Sequence, residues 1–496
     1  MRNVKTHRIH NLAFLFLLIA PITVFFYATY IYNPHNAGDI GLYILQLIAD
    51  TVAIFMVSSL WVTILLDLLQ AEHNHREITY DSEWVKHHKI TVDVMVPVSS
   101  EPIEIIQHTL SSVAAMDYPH TTYVLDDGGS ASVKALAKEF GFHYLSRPKE
   151  QRHHAKSGNL NFGIKEAKGE FLAVFDADHA PEKNFLTELL PFFAGEKVAL
   201  VQSPQHFTNT QNFIASGTAQ AQEIFYRYVQ PAKNNYNAAF CVGTNMVYRR
   251  KAIDEIGGIA LRDHSEDIWT TILLHEKGYE SVYYNKVLAN GRAPETIASY
   301  FRQQNRWSRG GFTLFFQKNP ALIRELTFDQ RIQYLISNVH YFSGFAILIY
   351  LILPILYLLF SLHPMNVTDV NAWFIHYVPY AITVFLLPLF LLQDIKLSTI
   401  STSLASFVPY LQAFLSVVLK NKYKWIATES AASKEKPILF LIWPIVLYIV
   451  LAICAVFVGW YNVVDVPSTV LSTIWTLINA FLLLQFIFHD KGVSEL

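Results

Sequence analysis

Long apolar stretches bracket one polar block, and this constrains the fold of the 496-residue chain more than any other feature. Asn11–Ile31 and residues from about Gly41 to Leu66 precede the block. Val339–Phe360, Trp373–Leu392, Pro437–Trp460 and Val470–Phe488 follow it. Each is long enough for a helix to cross a hydrocarbon core of roughly 30 Å, and in lipid a lone segment can satisfy its backbone only as a helix. The first stretch lacks a small-residue cleavage site and a second follows at once, so it reads as a retained span rather than a signal peptide. The connections at 33–39, 362–372 and 461–468 contain no Lys or Arg. By contrast Arg2, Lys5 and Arg8 precede the first span, and Lys396, Lys420, Lys422, Lys424, Lys434 and Lys436 lie between the fourth and fifth. Six crossings with both termini and the polar block inside satisfy the positive-inside bias at every loop. The expected divisions are 1–70 for two spans, 71–330 for a cytosolic domain and 331–496 for four further spans.

Composition agrees with this division. Apolar residues make up 52% of the chain and charged residues 16%, below the share usual for soluble domains. A formal charge of −2 supplies no bulk basic field for nucleic acid. Cys241 and Cys454 are far apart and form no CxxC pattern, so neither a disulfide framework nor a zinc site is expected.

Within the polar block, apolar runs alternate with helical patterns. Thr91–Pro97, Tyr123–Leu125, Glu170–Phe175 and Val198–Gln202 read as strands, while Ala131–Phe140 and Phe185–Phe193 read as helices. This order predicts a mostly parallel sheet covered on both faces, with ligands beyond the carboxyl ends of its strands. Two amphipathic helices are expected at the cytosolic membrane face: Ala298–Phe316, with its arginines and Trp307, and Leu397–Tyr423, whose apolar run is broken by Ser401, Ser403, Pro409 and Gln412.

Carboxylates gather at the predicted strand ends. Asp176 and Asp178, one residue apart, would face the same way in a regular strand. Their oxygens suit magnesium or manganese, and adjacent His179 adds a nitrogen ligand that leans toward manganese. Taken singly, the pair also fits a solvated turn. Asp126-Asp127-Gly128-Gly129 follows another apolar run, and its glycines permit close backbone approach to a ligand. Lys156, in Lys-Ser-Gly-Asn-Leu-Asn, is a point charge suited to phosphate. Ser265-Glu266-Asp267 opens a helical pattern, where the helix dipole favours an ionised carboxylate able to act as a base or simply to cap the helix. Arg306 beside Trp307 offers a cation for phosphate and an apolar face for a sugar ring, or else an interfacial anchor. Sugar transfer from a nucleotide donor to a hydroxyl needs a base, a metal and nearby positive charge. One domain holds a candidate for each.

Read in order, D-D-G, K-x-G-N-L-N, D-A-D-H, V-Q-S-P-Q, F-C-V-G-T, S-E-D and Q-Q-N-R-W resemble the processive family-two glycosyltransferases, the group of cellulose, hyaluronan and chitin synthases. The resemblance covers roughly residues 91 to 315. Its D-A-D-H, F-C-x-G-T and Q-x-x-R-W forms look closest to bacterial cellulose synthase. It implies a Rossmann-like GT-A domain inserted among about six spans, a UDP-sugar donor, UDP-glucose ahead of UDP-N-acetylglucosamine, and an inverting displacement without a covalent intermediate. By it Asp267 is the base, and Asp176 and Asp178, with His179, hold Mg2+ or Mn2+ and the diphosphate. Glu101, Asp126, Asp127, Lys156, Gln303 and Arg306 contact the donor. Trp307, Cys241, Gly243, Thr244 and Glu266 line the path of the growing polysaccharide.

The chain also departs from that pattern. Val98-Ser99-Ser100-Glu101 stands where cellulose synthases commonly carry T-Y-N-E, which removes an aromatic beside the base of the nucleotide. The gating pattern F-x-V-T-x-K is reduced to Trp425-Ile426-Ala427-Thr428-Glu429-Ser430, in a gating-like segment near 421–436 that includes Lys424. A cytosolic cyclic-nucleotide domain after the last span is not expected. These differences point to a capsule-type or other β-glucan synthase in the plasma membrane.

Overall fold

The computed structural model describes residues 11–73, 76–261, 265–367, 370–421 and 438–490. Lys424, Trp425 and Thr428 of the gating-like segment lie outside the described residues.

The polar block is built on nine strands: β1 (Val92–Val98), β2 (Thr121–Asp126), β3 (His143–Leu145), β4 (Phe171–Val174), β5 (Ala180–Pro181), β6 (Val198–Gln202), β7 (Met246–Arg249), β8 (Glu280–Tyr283) and β9 (Ala289–Asn290). Seven of them form one sheet in the order β3-β2-β1-β4-β7-β6-β8, and β5 pairs with β9 in a small second sheet. Strands β1, β2, β3 and β4 run parallel, as their alternation with helices predicts. The expectation of a mostly parallel sheet fails in one place. Met246–Arg249 inserts antiparallel between β4 and β6, so the sheet is mixed. A strand of four residues after an irregular approach carries too little pattern to show its direction in sequence.

Every residue of β1 is buried, as expected for a valine-rich strand covered on both faces. Ile106, Leu110 and Val113 from helix Ile103–Ala114, with Val133 and Leu136 from Ala131–Glu139, pack on one face. Leu160 and Ile164 of helix Ala155–Glu166 pack on the other. Strands β1, β2 and β4 therefore end together, and the acidic motifs that follow them share one rim.

Among the described residues, six helices are long and apolar enough to cross a membrane: Ile40–Asp67, Phe328–Phe360, Asn371–Leu392, Leu397–Val418, Ile438–Tyr461 and Val466–Phe488. Asn11–Ile31 is a further helix of 21 residues, packed along Val370–Leu392. Leu397–Val418 differs from the other five. It breaks at Ser406 into two helices, and 56% of its apolar window is buried, against 17–33% elsewhere. Its first half packs on helix Phe213–Ile224 and its second half on Ile297–Gln317, both from the polar block.

Asp50, inside the second span, is fully enclosed. Tyr350 donates to it at 2.7 Å, Tyr27 at 3.2 Å and Gln46 at 2.6 Å. A carboxylate satisfied in this way ties the helices that donate to it together.

Candidate active site

Beyond the carboxyl ends of β1, β2 and β4 lies a cavity of about 1330 Å³. Glu101, Asp127, Lys156, Asp176, Asp178, His179, Gly243, Glu266, Asp267, Gln303, Arg306 and Trp307 all line it, although they come from seven separate stretches of sequence. The same cavity reaches Met56, Leu60 and Thr63 of the second span and Ser343 and Ile347 of the third.

Ligand atoms of Asp176, Asp178 and His179 lie within 4.8 Å of one another. Two carboxylates and an imidazole form a hard, mostly oxygen donor set suited to manganese or magnesium. His179 is buried, its Nδ1 meets Asp178 Oδ1 at 2.9 Å, and its Nε2 has no hydrogen-bond partner. That nitrogen lies against Gly291, where an added Cβ would be 2.3 Å away, so the fit to a divalent cation rests on the two carboxylates and the Nδ1 edge of the ring gathered within 4.8 Å.

Lys156 ties this cluster to the next. Its ammonium bonds Asp176 and also donates to Gly243 O at 2.6 Å. Burial opposes its charge, but Asp176, Glu266 and Asp267 outweigh burial and raise its pKa. Gly243 has φ +89°, and an added Cβ there would lie 3.3 Å from Asp267 Oδ2 and 3.5 Å from Lys156 Nζ. Both atoms flank the same side of Gly243, so its missing side chain leaves open the space in which the lysine and Asp267 approach each other.

Asp267 sits in the first turn of helix Glu266–Glu276, after Ser265 in a left-handed conformation. Ser265 makes no side-chain cap, and the motif's hydrogen bond with the first turn is accepted by Asp267 instead. Asp267 Oδ1 accepts from Ile268 N at 2.8 Å, and the other oxygen lies beside Gly243. Burial first, then Glu266 beside it, pushes the carboxyl up to about 7. Neutral solution therefore holds it poised between acid and base.

Helix Ile297–Gln317 starts at a capping box formed by Thr296 and Ser299. Gln303, Arg306, Trp307 and Gly310 follow at i, i+3, i+4 and i+7, so they share one face. Gly310 was not singled out by its sequence, yet a Cβ there would collide with Ser265 Oγ. Its missing side chain lets this helix press the Ser265 loop into place. The helical spacing from Gln303 was the available signal.

Three predicted residues do not face the cavity. Asp126 is fully buried, and its carboxylate accepts from Gly128 N at 2.7 Å, Gly129 N at 3.0 Å, Ser130 N at 2.7 Å and Tyr144 Oη at 2.9 Å. It organises the glycine turn and leaves the rim to Asp127. Cys241 is also fully buried and points into the protein, where burial raises its thiol pKa; its neighbours Phe240 and Val242 line the cavity instead. Thr244 stands behind the wall and accepts from Asp176 N at 2.9 Å, which orients the first carboxylate of the pair. Glu101 does reach the cavity. Its Oε2 accepts from Ser99 N at 2.8 Å and Ser100 N at 3.0 Å, while burial raises its pKa against those bonds.

Comparison with known proteins agrees with this geometry. Residues 171–391 match the family model described as glycosyl transferase family group 2. The cellulose synthase catalytic subunit (UDP-forming) of Pseudomonas fluorescens is 35% identical over 280 residues, which cover 55% of this chain and 38% of that protein. The cellulose synthase 1 catalytic subunit of Komagataeibacter xylinus is 33% identical over 280 residues, covering 55% and 37%. The aligned part is thus well under half the length of those relatives. A mannosyltransferase from Pyrobaculum calidifontis, solved with GDP-Man and Mn2+, shares the fold with a TM-score of 0.56 at 13% identity, covering 76% of this chain and 100% of that one. Over its polar block the chain is thus similar to family-two glycosyltransferases, cellulose synthase catalytic subunits among them, and it shares its fold with a nucleotide-sugar transferase.

Proposed function

We propose that the chain is a processive, inverting synthase that polymerises glucose from UDP-glucose into a β-glucan and passes the product through its own spans. One observation carries this reading. A candidate base and a candidate metal cluster meet beside Gly243, linked through Lys156, in a single cavity that continues between two long apolar helices. An enzyme that released a small soluble product would have no use for that continuation.

In this reading the chain end lies on Trp307 with its terminal hydroxyl toward Asp267. Asp267 takes the hydroxyl proton as the oxygen bonds to the anomeric carbon from the face opposite the leaving group. The anomeric carbon–oxygen bond to the diphosphate breaks, and UDP departs with the electron pair. A divalent cation held by Asp176, Asp178 and His179 would neutralise charge on that diphosphate when bound. Lys156 and Arg306 add fixed positive charge, and Gln303 a hydrogen bond. Glu266 keeps the Asp267 pKa high and so strengthens it as a base.

The membrane arrangement follows from the loop charges: polar block and both termini on the cytosolic side of the plasma membrane, with the halves of Leu397–Val418 and helix Ile297–Gln317 at its inner face.

Purified protein supplied with radiolabelled UDP-glucose and Mn2+ should yield a long polymer cleaved by a linkage-specific β-glucanase. Incorporation only from UDP-N-acetylglucosamine would move the enzyme to the hyaluronan or chitin type. A single sugar on lipid would overturn processivity. The rate also has an expected pH dependence. The base works ionised, so kcat/KM should climb with pH through an apparent pKa of about 7 and level off above it. A flat profile between pH 5.5 and 8.5 would remove Asp267 from this role.

A further inference from the structure

Asp127 lines the cavity, yet its carboxylate is already taken. Arg147 Nε donates to Asp127 Oδ1 at 2.9 Å, and Nη2 donates to Oδ2 at 2.5 Å. This is a two-pronged guanidinium–carboxylate fork, the geometry in which arginine cannot be replaced by lysine without loss. The side chain of Arg147 is only 4% exposed. Its remaining donors all go to one loop: Nη1 to Gln151 O at 3.0 Å and His153 O at 2.9 Å, and Nη2 to Ala155 O at 3.0 Å. Arg152 Nε returns a bond to Arg147 O at 3.1 Å.

The loop fastened in this way is strained. His154 has φ +60° and Ala155 φ +38°, two successive residues in a region that side chains disfavour. Such a conformation persists only when its surroundings hold it. Arg147 does so by occupying three carbonyls that would otherwise face inward unpaired. The glycine of Lys156-Ser157-Gly158 belongs to the same device. A Cβ on Gly158 would lie 2.6 Å from Arg147 Nη1 and collide with His153 O. Arg152, His153, His154 and Lys156 leave this loop to line the cavity on the side of Asp127 and Asp176.

We infer that Arg147 is a positioning residue for nucleotide binding: through Asp127 and the carbonyls of 151, 153 and 155 it sets the loop that presents Arg152 and Lys156 to a nucleoside diphosphate. Asp127 then acts through Arg147 and not by touching the nucleotide. This rests on the UDP-sugar reading above and adds to it a residue that makes no contact with substrate.

UDP binding with Mn2+, measured by calorimetry on the detergent-purified full chain, tests the assignment without needing turnover. Arg147→Lys keeps the charge and loses the fork. UDP should bind at least about tenfold more weakly, and KM for the donor should rise by the same factor with kcat within about threefold. Asp127→Asn, a smaller change should Arg147→Lys fail to fold, should give the same split between KM and kcat. The double variant should bind no more weakly than the worse single, because both remove one unit. Wild-type UDP affinity in Arg147→Lys would overturn the assignment. So would additive losses in the double variant, which would mean that Asp127 touches the nucleotide directly. A wild-type protein that binds no UDP would overturn the donor reading itself, and this assignment with it.

Discussion

Asp267→Asn is expected to lower polymer formation by about 100- to 10,000-fold, the usual contribution of a positioned general base. UDP binding should survive, because Lys156, Arg306 and the Asp176–Asp178 cluster remain. The amide is nearly the same shape as the acid and keeps an oxygen for Ile268 N. Stability gives a second readout with a definite sign. The folded carboxyl is held at about 7 against an ordinary 3.8. Across that window the folded state keeps a proton that the unfolded chain gives up, so stability falls as pH rises. Replacing the acid with a neutral amide removes this penalty, and the variant should melt no lower than wild type at pH 8. Polymer synthesis near the wild-type rate would end the assignment of Asp267 as base. Lost activity together with a lower melting temperature would show damage to the fold instead.

The second large effect concerns the acidic cluster. Chelation of divalent cations should abolish synthesis, and added Mn2+ should restore it. Asp178→Ala should cost about 4 kcal/mol of transition-state stabilisation, roughly 1000-fold in rate, and should not be rescued by raising Mn2+. His179→Ala removes a neutral ligand and the partner of Asp178, so partial rescue at high Mn2+ is expected. Binding of Mn2+ followed by electron paramagnetic resonance separates loss of the ion from loss of chemistry. Full activity in the presence of a strong chelator would leave the cluster without a metal role.

Much of the site was legible because its chemistry is written in short local motifs. Asp176 and Asp178 lie one residue apart after an apolar run, and Gln303, Arg306 and Trp307 repeat at helical spacing. In both cases a simple period places the side chains together. Asp126 and Asp127 show the limit of such reading. Two adjacent identical residues receive opposite tasks, one buried as the acceptor of four hydrogen bonds and one on the rim. Nothing in Asp-Asp-Gly-Gly decides which is which, because alternation along the end of β2 depends on where the strand stops. Cys241 and Val242 repeat the lesson, since a shift of one residue turns a side chain from the cavity into the core.

The sequence by itself determined the alternation of long apolar helices with a polar block, the parallel order of the first strands and the chemical character of each motif, since all three follow from local period and composition. Only the tertiary structure decided that Lys156, Gly243 and Asp267 meet, that Arg147 takes Asp127, that Gly310 admits the Ser265 loop, and that the cavity continues between two spans. Those facts depend on how separate elements pack. The loops between them set no preferred approach, and the fit arises only when close packing of the whole chain leaves room for one arrangement.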